Sequence, residues 1–397
     1  MHIRRTANGA CESKIHELMK QSGQKERKME KKKWVKHIPL FIIEILVLIA
    51  AIGILFVVLR TTGEHGVKKD IIDEEQIAVN EEVKQKVTES KEPDKVNEYS
   101  GIYNIAFFGV DARDENLGKG NNRSDTIMIC SIDMDKHEVR LISIYRDTYL
   151  NIGNDVYKKC NAAYAYGGPK QALGMINMNT DLYITDYVTV GFEGLMEAVD
   201  ALGGIEMEVT EAEISHLNNY QISMVGTTED GKNFVASEGV DYIPITKPGL
   251  QTLNGLQATA YCRIRHVGND FQRTERQRNV LIAMMEKAKK SSVGTLMEAA
   301  NAVLPHIVTS IDVEDMLPLL GMIGDYKVTI SDGFPFRDML NGGPVRTEGE
   351  CIVPISLEDN VVKLHELLFP EEVYEPSEEL KSYSKIVEED TKDYLRY

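Results

Sequence analysis

The sequence lacks the short motifs that mark several large enzyme classes. It has no GxSxG nucleophile elbow and no GxxxxGK(S/T) phosphate loop, which disfavours serine-hydrolase and nucleotide-loop chemistry. Its nine histidines show no HExxH or other paired-ligand spacing, and its five cysteines form no CxxC pattern. A zinc site is therefore not expected, and any chemistry has to come from other side chains.

Cysteines are few, and their positions predict buried thiols. Cys11 lies near the N-terminus, whereas Cys130, Cys160, Cys262 and Cys351 are far apart in the sequence. Cys130 and Cys262 occupy strand-like runs, where a small buried hydrophobic side chain is commoner than a nucleophile. A disulfide among the last four stays open, because the sequence alone cannot pair them.

Basic residues are scarce outside the N-terminus. The net charge is −17, yet residues 1–37 carry eleven Lys or Arg against four Asp or Glu, so the rest of the chain carries about −24. A chain this acidic would repel the phosphates of a duplex. No nucleic acid is therefore expected as a partner.

Charge is almost absent from a 22-residue apolar run at 38–59, where Glu44 is the only charged residue. A helix needs ~20 apolar residues to cross a bilayer. No small-residue cleavage site follows Leu59, so the run predicts an uncleaved membrane anchor rather than a signal peptide. Four lysines just before the run place residues 1–37 in the cytoplasm and the remainder outside. A nucleic-acid-binding tail is the alternative interpretation of the basic segment.

Aromatic residues are absent from 60–98, and this Glu-, Lys- and Val-rich segment predicts an extracytoplasmic stalk, helical in part. The sequence of residues 99–372 predicts a folded domain, the catalytic domain of the protein. The interval 211–249 is polar and irregular, which predicts a surface excursion. Residues 373–397 predict an acidic tail, mobile from Pro376 onwards.

Within 99–372, strand-like and helix-like runs alternate. The strand-like runs are IYNIAFFGV at 102–110, TIMICSID at 126–133, VRLISIY at 139–145 and DYVTVGF at 186–192. The helix-like runs are 170–179, 193–201 and 273–290. This alternation predicts an α/β fold, a layered α-β-α sandwich with a central mixed sheet, preceded by one N-terminal transmembrane helix.

Carboxylates and an arginine mark the ends of three predicted strands. A hairpin between the second and third strand-like runs brings Asp125 beside Arg146, and Asp111 joins them if its strand lies next in the sheet. Carboxylate oxygens suit a hard divalent cation, and guanidinium groups suit phosphate oxygens. Ordinary salt bridges between loops would produce the same pattern, so both interpretations stay open.

Two further groups of polar residues could likewise form either a ligand site or ordinary surface and internal contacts. In YCRIRH at 261–266 a strand-like period of two would place Arg263 and Arg265 on one face, where they either grip one anion or are simply solvated. In the next helix Asp270, Arg273 and Gln277 fall within a ~60° arc that continues the apolar face. A buried Arg273 requires either an anionic ligand or an internal pair with Asp270.

Lys159 and the turn at 166–169 form a weaker candidate. The turn Tyr-Gly-Gly-Pro precedes a helix-like run, and glycines in that position can present backbone amides to an anion. Glycines before a helix also commonly do no more than make the turn.

Together these segments resemble the LytR-CpsA-Psr family of cell-wall ligases. The motifs that carry the resemblance are GVDAR at 109–113, RSDT at 123–126, SIYRDT at 143–148, KCNAAYAYGG at 159–168, LNGLQATAYCRIRH at 253–266 and DxxRxxRQ at 270–277. Tyr145 departs from the family, which commonly has Pro there, and Cys160 and Cys262 stand where aliphatic residues are usual.

The resemblance implies specific roles for the site residues. Asp111 and Asp125 would hold Mg²⁺ or Mn²⁺. Arg146, Arg263 and Arg265 would be catalytic and would also bind pyrophosphate. Asp270, because it shares a helical face with Arg273, is the candidate general base. The residues expected to bind pyrophosphate are Arg123, Arg146, Lys159, Arg263, Arg265, Arg273 and Gln277.

The implied activity is a phosphotransferase that moves a teichoic-acid- or capsule-type glycopolymer from a polyprenyl pyrophosphate carrier to peptidoglycan. It would act at the outer face of the cell membrane of a Gram-positive-type envelope. Three alternatives stay open: a polyprenyl pyrophosphate hydrolase, a membrane-bound sensor or transcription attenuator, and a cell-wall-binding module.

Overall fold

The computed structural model describes residues 68–69, 72, 74–89, 98–99, 101–111, 117–225, 235–265, 267–268, 270–311 and 323–394. The predicted cytoplasmic segment at 1–37 and the predicted anchor at 38–59 lie outside these ranges. Within these ranges, no helix has both the length and the apolar character needed to cross a bilayer.

The strands of the described chain, in order, are β1 (Lys68–Lys69), β2 (Glu98–Tyr99), β3 (Ile102–Val110), β4 (Ser124–Asp133), β5 (Glu138–Ile144), β6 (Tyr149–Asn151), β7 (Tyr157–Lys159), β8 (Asp186–Val190), β9 (Ile205–Val209), β10 (Gly249–Leu253), β11 (Ile307–Thr309), β12 (Lys327–Phe334), β13 (Leu340–Val345) and β14 (Gly349–Pro354). The helices are α1 (Glu81–Glu89), α2 (Ala162–Thr180), α3 (Phe192–Ala201), α4 (Glu211–Val225), α5 (Gly255–Cys262), α6 (Asp270–Lys289), α7 (Val293–Val303), α8 (Leu357–Leu368) and α9 (Glu378–Thr391). Short 3₁₀ turns occur at Glu74–Gln76 and Leu304–His306.

A mixed sheet with the order β1-β11-β8-β3-β4-β5-β12 forms the frame, and β2 pairs with the start of β3. Its centre is the antiparallel meander β3-β4-β5, while β8 and β12 run parallel to their neighbours β3 and β5. The strand-like runs of the sequence correspond to β3, β4, β5 and β8, so the predicted central mixed sheet is confirmed.

Helices cover both faces of this sheet. Ile127 and Ile129 of β4 pack with Leu173 of α2 on one face, whereas Met128 of β4 packs with Leu281 of α6 on the other. Because alternate residues of a strand point to opposite faces, a strand buried on both sides has few polar positions, and β4 is buried from Ile127 to Asp133. The three layers agree with the predicted sandwich.

A second apolar cluster supports the site from beside the sheet. The antiparallel pair β9–β10 packs with α3, α4, α5 and α6 around a core that includes Ile205, Leu217 and Ile264. Helices α3 and α4 both contact α5. This cluster holds the segment that follows α5, which carries Arg263 and Arg265.

The predicted surface excursion at 211–249 is wrong in its first part. Residues Glu211–Val225 form helix α4, in which Glu213, Leu217 and Gln221 are buried. Only one of these three side chains is apolar, so the apolar periodicity that identifies a helix from sequence is weak here. The described residues from 235 onwards are irregular until β10 begins at Gly249.

The predicted strand at 261–266 is also wrong. Helix α5 ends at Cys262 and Arg263 is its C-terminal cap, so the arginines follow a helix instead of alternating along a strand. A capping box starts this helix: the Asn254 side chain accepts from the Gln257 backbone N–H, and the Gln257 side chain accepts from the Asn254 backbone N–H. The Asn-x-x-Gln pattern at 254–257 therefore predicts the start of a helix from the sequence alone.

The stalk and tail boundaries need correction as well. Ile77 and Val83, within the predicted stalk, are buried, and Ile77 belongs to the main core. The predicted mobile tail contains α9, which buries Leu380 and Val387.

A single buried carboxylate joins the two segments. Asp181 accepts hydrogen bonds from Asn80 Nδ2 (2.5 Å), Tyr374 Oη (2.6 Å), and Ser377 N (2.8 Å) and Oγ (2.7 Å).

The four domain cysteines are free and buried. Burial raises the pKa of Cys130 and of Cys262 to about 12, and that of Cys351 to about 11. Burial likewise raises the pKa of the Cys160 thiol far above its usual range. These thiols stay protonated at neutral pH, so the prediction that Cys130 and Cys262 are buried side chains rather than nucleophiles is supported.

Candidate active site

A cavity of about 330 Å³ opens where the ends of β3 and β4 meet α3, α5 and α6. Its lining combines two carboxylates and three arginines with a larger set of apolar and aromatic side chains. The polar and charged side chains are Asp111, Asp125, Thr126, Arg263, Arg265, Arg273 and Gln277, and the apolar and aromatic ones include Phe107, Phe108, Val110, Val190, Phe192, Leu195, Tyr220, Val280 and Leu281.

The carboxylate of Asp125 accepts hydrogen bonds from two arginines. Arg146 Nη1 donates to Asp125 Oδ1 at 2.6 Å, and Arg265 Nη2 donates to Asp125 Oδ2 at 3.3 Å. Asp125 lies at the start of β4 and Arg146 follows β5, so the hairpin brings them together. The predicted neighbourhood of Asp125 and Arg146 is confirmed.

Asp111 joins this group from the end of β3. Since β3 pairs with β4, Asp111 reaches the same sheet edge as Asp125, as predicted. Its carboxylate is 66% exposed, and Arg263 Nη2 lies 4.0 Å from its Oδ2. The Arg263 guanidinium carbon also lies 4.6 Å from the ring centroid of Phe192 and 5.8 Å from that of Tyr220.

Arg273 is the most unusual residue of the site. It is 2% exposed, and its Nη2 lies 2.8 Å from Asp270 Oδ1 without the geometry of a hydrogen bond. Within the described chain its Nε, Nη1 and Nη2 all lack hydrogen-bond partners, as do Asp270 Oδ2 and Gln277 Oε1. An unpaired buried donor is costly, and a ligand with acceptor oxygens would satisfy the donors of Arg273. The structure therefore contains the ion pair that the sequence left open and, in addition, donors that the pair does not use.

Burial and charge shift the pKa values of these groups in different directions. Burial raises the pKa of Asp270, and the nearby guanidinium groups of Arg273 and Arg146 oppose this only in part. Burial lowers the pKa of Arg273 although Asp270 opposes it. For Arg146 the effect of burial is outweighed by the carboxylates of Asp125, Asp147 and Asp270, so its pKa is raised. Arg146 thus remains a firmly held cation.

Not every predicted site residue lines the cavity. Arg123 is exposed and lies outside the lining. Lys159 Nζ lies 3.3 Å from Asp147 Oδ1, and Asp147 Oδ2 lies 3.4 Å from Arg146 Nε. Lys159 therefore reaches the site through Asp147 and Arg146. Arg146 also lies outside the lining and contacts the site through its hydrogen bond to Asp125.

The predicted glycine turn at 166–169 lies inside α2. Gly167 and Gly168 have non-helical dihedrals and kink the helix. A Cβ at Gly168 would lie 3.0 Å from the Gly118 carbonyl oxygen, and Gly168 has a φ of +65°. Close backbone packing and a left-handed conformation explain this glycine, and neither requires an anion.

Sequence reasoning gave no role to Arg276, which fixes the loop of the paired arginines. Arg276 Nε donates to Glu213 Oε1 at 2.7 Å, Nη1 to the Ile264 carbonyl at 3.1 Å, and Nη2 to the Val267 carbonyl at 2.6 Å. These last two bonds hold the backbone on either side of Arg265. The sequence could not show this, because the partner Glu213 lies 63 residues away.

The carboxylates fit a divalent cation completed by a ligand. The described part of the chain contains no cluster of three or more His, Cys, Asp or Glu side chains that could hold a metal ion alone. Asp111 and Asp125 nevertheless line one cavity with arginines. Mg²⁺ is commonly bound by one or two carboxylates together with substrate phosphates, so this donor set suits Mg²⁺ in the presence of a phosphorylated ligand.

Fold and site together define a layered α/β protein whose sheet-edge cavity matches an amphiphile with a phosphate head group. Residues 70–330 match the model of the LytR_cpsA_psr family, and the chain belongs to this family. The family match begins at residue 70, inside the segment predicted as a stalk, in agreement with the packing of Ile77 and Val83.

Several curated proteins are similar to the chain. The teichoic acid transferase TagU of Oceanobacillus iheyensis is 29% identical over 74% of this chain and 83% of its own length. The TagU of Enterococcus faecalis is 30% identical over 54% of this chain and 63% of its own length. An uncharacterised Staphylococcus aureus protein is 28% identical over 62% of this chain, and the chain spans 58% of that relative's length.

Solved structures share the fold. Bacillus subtilis TagT aligns with a TM-score of 0.52 at 21% identity, covering 68% of this chain and 91% of TagT. Protein gbs0355 of Streptococcus agalactiae aligns with a TM-score of 0.55 at 20% identity, covering 74% of this chain and 95% of the other. These likenesses confirm the α/β architecture with its central mixed sheet.

Proposed function

We propose that the protein is a transferase that moves an anionic glycopolymer of teichoic-acid or capsule type from a polyprenyl pyrophosphate carrier to peptidoglycan. The observation that carries the proposal is Arg273, a buried guanidinium with no hydrogen-bond partner in the described chain, at a cavity shared with Arg263 and Arg265. The pyrophosphate would satisfy these donors, and the apolar lining would take the prenyl chain.

The names of the relatives support the choice of substrates. TagU of Oceanobacillus iheyensis is named a polyisoprenyl-teichoic acid–peptidoglycan teichoic acid transferase. This name specifies a lipid-linked anionic polymer as donor and peptidoglycan as acceptor. A cavity with cationic and apolar lining suits the donor, and its exposed Asp111 edge leaves room for the acceptor.

The proposed reaction is a phosphoryl transfer. An acceptor hydroxyl of peptidoglycan attacks the phosphorus next to the glycan, a new P–O bond forms, and the bond to the second phosphate breaks. Polyprenyl phosphate leaves with the bonding electrons. Such reactions depend mainly on positioning and on neutralising charge, and Arg146, Arg263, Arg265 and Arg273 supply both.

Asp270 is the proposed acceptor of the hydroxyl proton. It is close to the donors of the site, since its Oδ1 lies 2.8 Å from Arg273 Nη2 and 4.0 Å from Arg146 Nε. Its raised pKa makes it a better proton acceptor than an ordinary carboxylate. When bound, Mg²⁺ or Mn²⁺ would neutralise pyrophosphate charge, and Asp111 and Asp125 are the residues that would hold it.

The proposal includes the location of the reaction. The apolar run at 38–59 and the basic segment at 1–37 support a single-pass protein of the cell membrane with its N-terminus inside. The domain would then face the lipid-linked donor and the wall. The membrane and peptidoglycan are accordingly partners in this proposal.

The decisive test is transfer by the purified full-length protein. A polyprenyl pyrophosphate glycan labelled in its sugar is incubated with and without peptidoglycan, and with Mg²⁺ or with EDTA. We expect metal-dependent label on peptidoglycan, lost in Arg263→Ala/Arg265→Ala. The matched control removes two cations elsewhere, Lys381→Ala/Lys385→Ala on α9, and should transfer normally.

Other outcomes point to other functions. Labelled glycan phosphate released into solution, at the same rate with and without peptidoglycan, would identify a hydrolase. Absence of turnover with every carrier would contradict the transferase and favour a binding or sensing role.

A further inference from the structure

Arg263 is held differently from the other arginines of the site. Arg265 and Arg146 donate to Asp125, and Arg273 lies against Asp270. Within the described residues, the one ion-pair contact of Arg263 is a 4.0 Å approach to the exposed carboxylate of Asp111. Its guanidinium lies beside two aromatic rings, Phe192 of α3 and Tyr220 of α4.

Aromatic contact leaves the donors of an arginine available. A guanidinium is planar, its faces are weakly hydrated and stack on rings, and its five N–H groups lie in the plane. Rings against the guanidinium therefore restrict its orientation without using its hydrogen bonds. Arg263 is thereby prepared to present an N–H fork to a phosphate.

Helix α4 supports both the side chain and the backbone of this segment. Tyr220 and Glu213 are seven residues apart and so lie on the same face of α4. Glu213 holds Arg276, which binds the carbonyls of Ile264 and Val267, while Tyr220 contacts the guanidinium of Arg263. One face of α4 thus holds the backbone of this loop and restricts the orientation of Arg263.

The two rings also belong to the apolar lining of the cavity. A prenyl chain in the cavity would pack against the same rings that contact Arg263. We propose that Phe192 and Tyr220 are positioning residues that orient Arg263 towards the pyrophosphate and make its orientation depend on an apolar chain beside it. The inference rests on the proposed function and assigns the preference for prenylated donors to this aromatic pair.

The test distinguishes the effect of an aromatic ring beside Arg263 from the effect of apolar volume at the same position. Phe192→Leu and Tyr220→Leu keep an apolar side chain but remove the ring, whereas Phe192→Tyr and Tyr220→Phe keep a ring. In transfer assays we expect kcat to fall about tenfold in each leucine variant, with a much smaller change in the KM for donor, because fork orientation matters most in the transition state. The ring-preserving variants should recover most of the loss.

Binding measurements make the result independent of turnover. Calorimetric titration of the full-length protein with geranylgeranyl pyrophosphate and with inorganic pyrophosphate gives the preference for the prenylated ligand. We expect that preference to fall several-fold in the leucine variants and to return in the ring-preserving ones. Thermal unfolding of each variant verifies that it is folded.

Two results would overturn the inference. One is wild-type kcat and wild-type ligand preference in both leucine variants. The other is an equal loss in leucine and ring-preserving variants, which would assign the effect to packing alone. Failure of the proposed function is recognised separately, since the wild type would then bind geranylgeranyl pyrophosphate without transferring glycan, and the binding preference would still decide the role of the rings.

Discussion

At the scale of the residue, the site contains one arginine that costs stability and one that provides it. Arg273 and Arg276 lie one turn apart on α6, and both are buried. Arg273 has no hydrogen-bond partner in the described chain, whereas Arg276 donates to Glu213 and two carbonyls. A buried guanidinium that has an ion pair but no hydrogen bonds keeps donors for a ligand, whereas one whose three nitrogens all donate is a sign of a structural role.

We expect Arg273→Met to abolish transfer without lowering stability. The donors of Arg273 lack hydrogen bonds in the described chain, and Asp270, whose pKa is already raised by burial, can take up a proton once its ion-pair partner is gone, so loss of the pair costs little stability. Loss of a charge-stabilising donor costs ~100-fold or more in kcat. Thermal unfolding without substrate and the transfer assay measure the two effects, and a fall in melting temperature of several degrees would show that Arg273 has a structural role.

Arg276→Met, in contrast, should lower the free energy of unfolding. It leaves Glu213 buried without its partner, and breaking such a pair costs about 3–5 kcal/mol. Burial tends to raise the pKa of Glu213, but hydrogen bonds from Thr210 and Arg276 outweigh it and lower the pKa. Glu213 therefore contributes stability above its unfolded pKa, and this contribution is lost as pH falls through the lowered pKa. Denaturant unfolding of Arg276→Met at neutral pH should show the loss, and wild-type stability would refute it.

Asp270 predicts a pH dependence of both rate and stability. Its pKa is raised in the folded protein, so the acid-side fall in the rate of transfer should occur at a higher pH than an unperturbed aspartate would give. The raised pKa also means that Asp270 favours folding below its unfolded pKa and that this contribution is lost as pH rises through the folded value. Asp270→Asn should remove the acid limb of the rate profile, and full transfer by this variant at every pH would exclude Asp270 as the base.

At the scale of the element, the segment before the sheet is part of the domain. Ile77 and Val83 are buried, and Asn80 donates to Asp181 and to the Met178 carbonyl. The chain from Glu64 to Tyr397 forms one compact unit. A boundary drawn at residue 99, as the absence of aromatic residues suggested, cuts through this packing.

A fragment that begins at residue 99 should be much less stable than one that begins at residue 64. It loses two buried apolar side chains, worth ~1.5–3 kcal/mol each, and leaves Asp181 with one donor fewer. Denaturant unfolding of the two fragments measures the difference. Equal stability would mean that the segment at 74–89 is dispensable to the fold.

At the scale of the whole molecule, the buried thiols allow the proposed topology to be measured. The four domain cysteines are buried and free, so a thiol reagent should not reach them in the folded protein. Cys11 lies in the segment proposed to be cytoplasmic. On protoplasts, a membrane-impermeant maleimide should leave the wild type unlabelled until the cells are lysed, and should label a Ser382→Cys variant, exposed on α9, at once. Labelling of Cys11 on intact protoplasts would reverse the proposed orientation.

Local sequence pattern was enough to predict those parts of the protein whose signals lie within a few residues. The apolar, β-branched runs at 102–110, 126–133 and 139–145 specified the strands β3, β4 and β5, and their ends specified that Asp125 lies beside Arg146. The helical arc of α6 placed Asp270, Arg273 and Gln277 on one face. These features follow from spacing within a few residues, and the structure retains them.

The partners of those residues, in contrast, depend on packing between distant segments and could not be predicted from the sequence. The rings beside Arg263 come from α3 and α4, and Glu213 meets Arg276 across 63 residues of chain. The absence of hydrogen-bond partners for Arg273 within the described chain is likewise a property of the packed site. Burial and pairing depend on segments far apart in sequence, so local pattern could predict which residues face inward but not what each of them contacts.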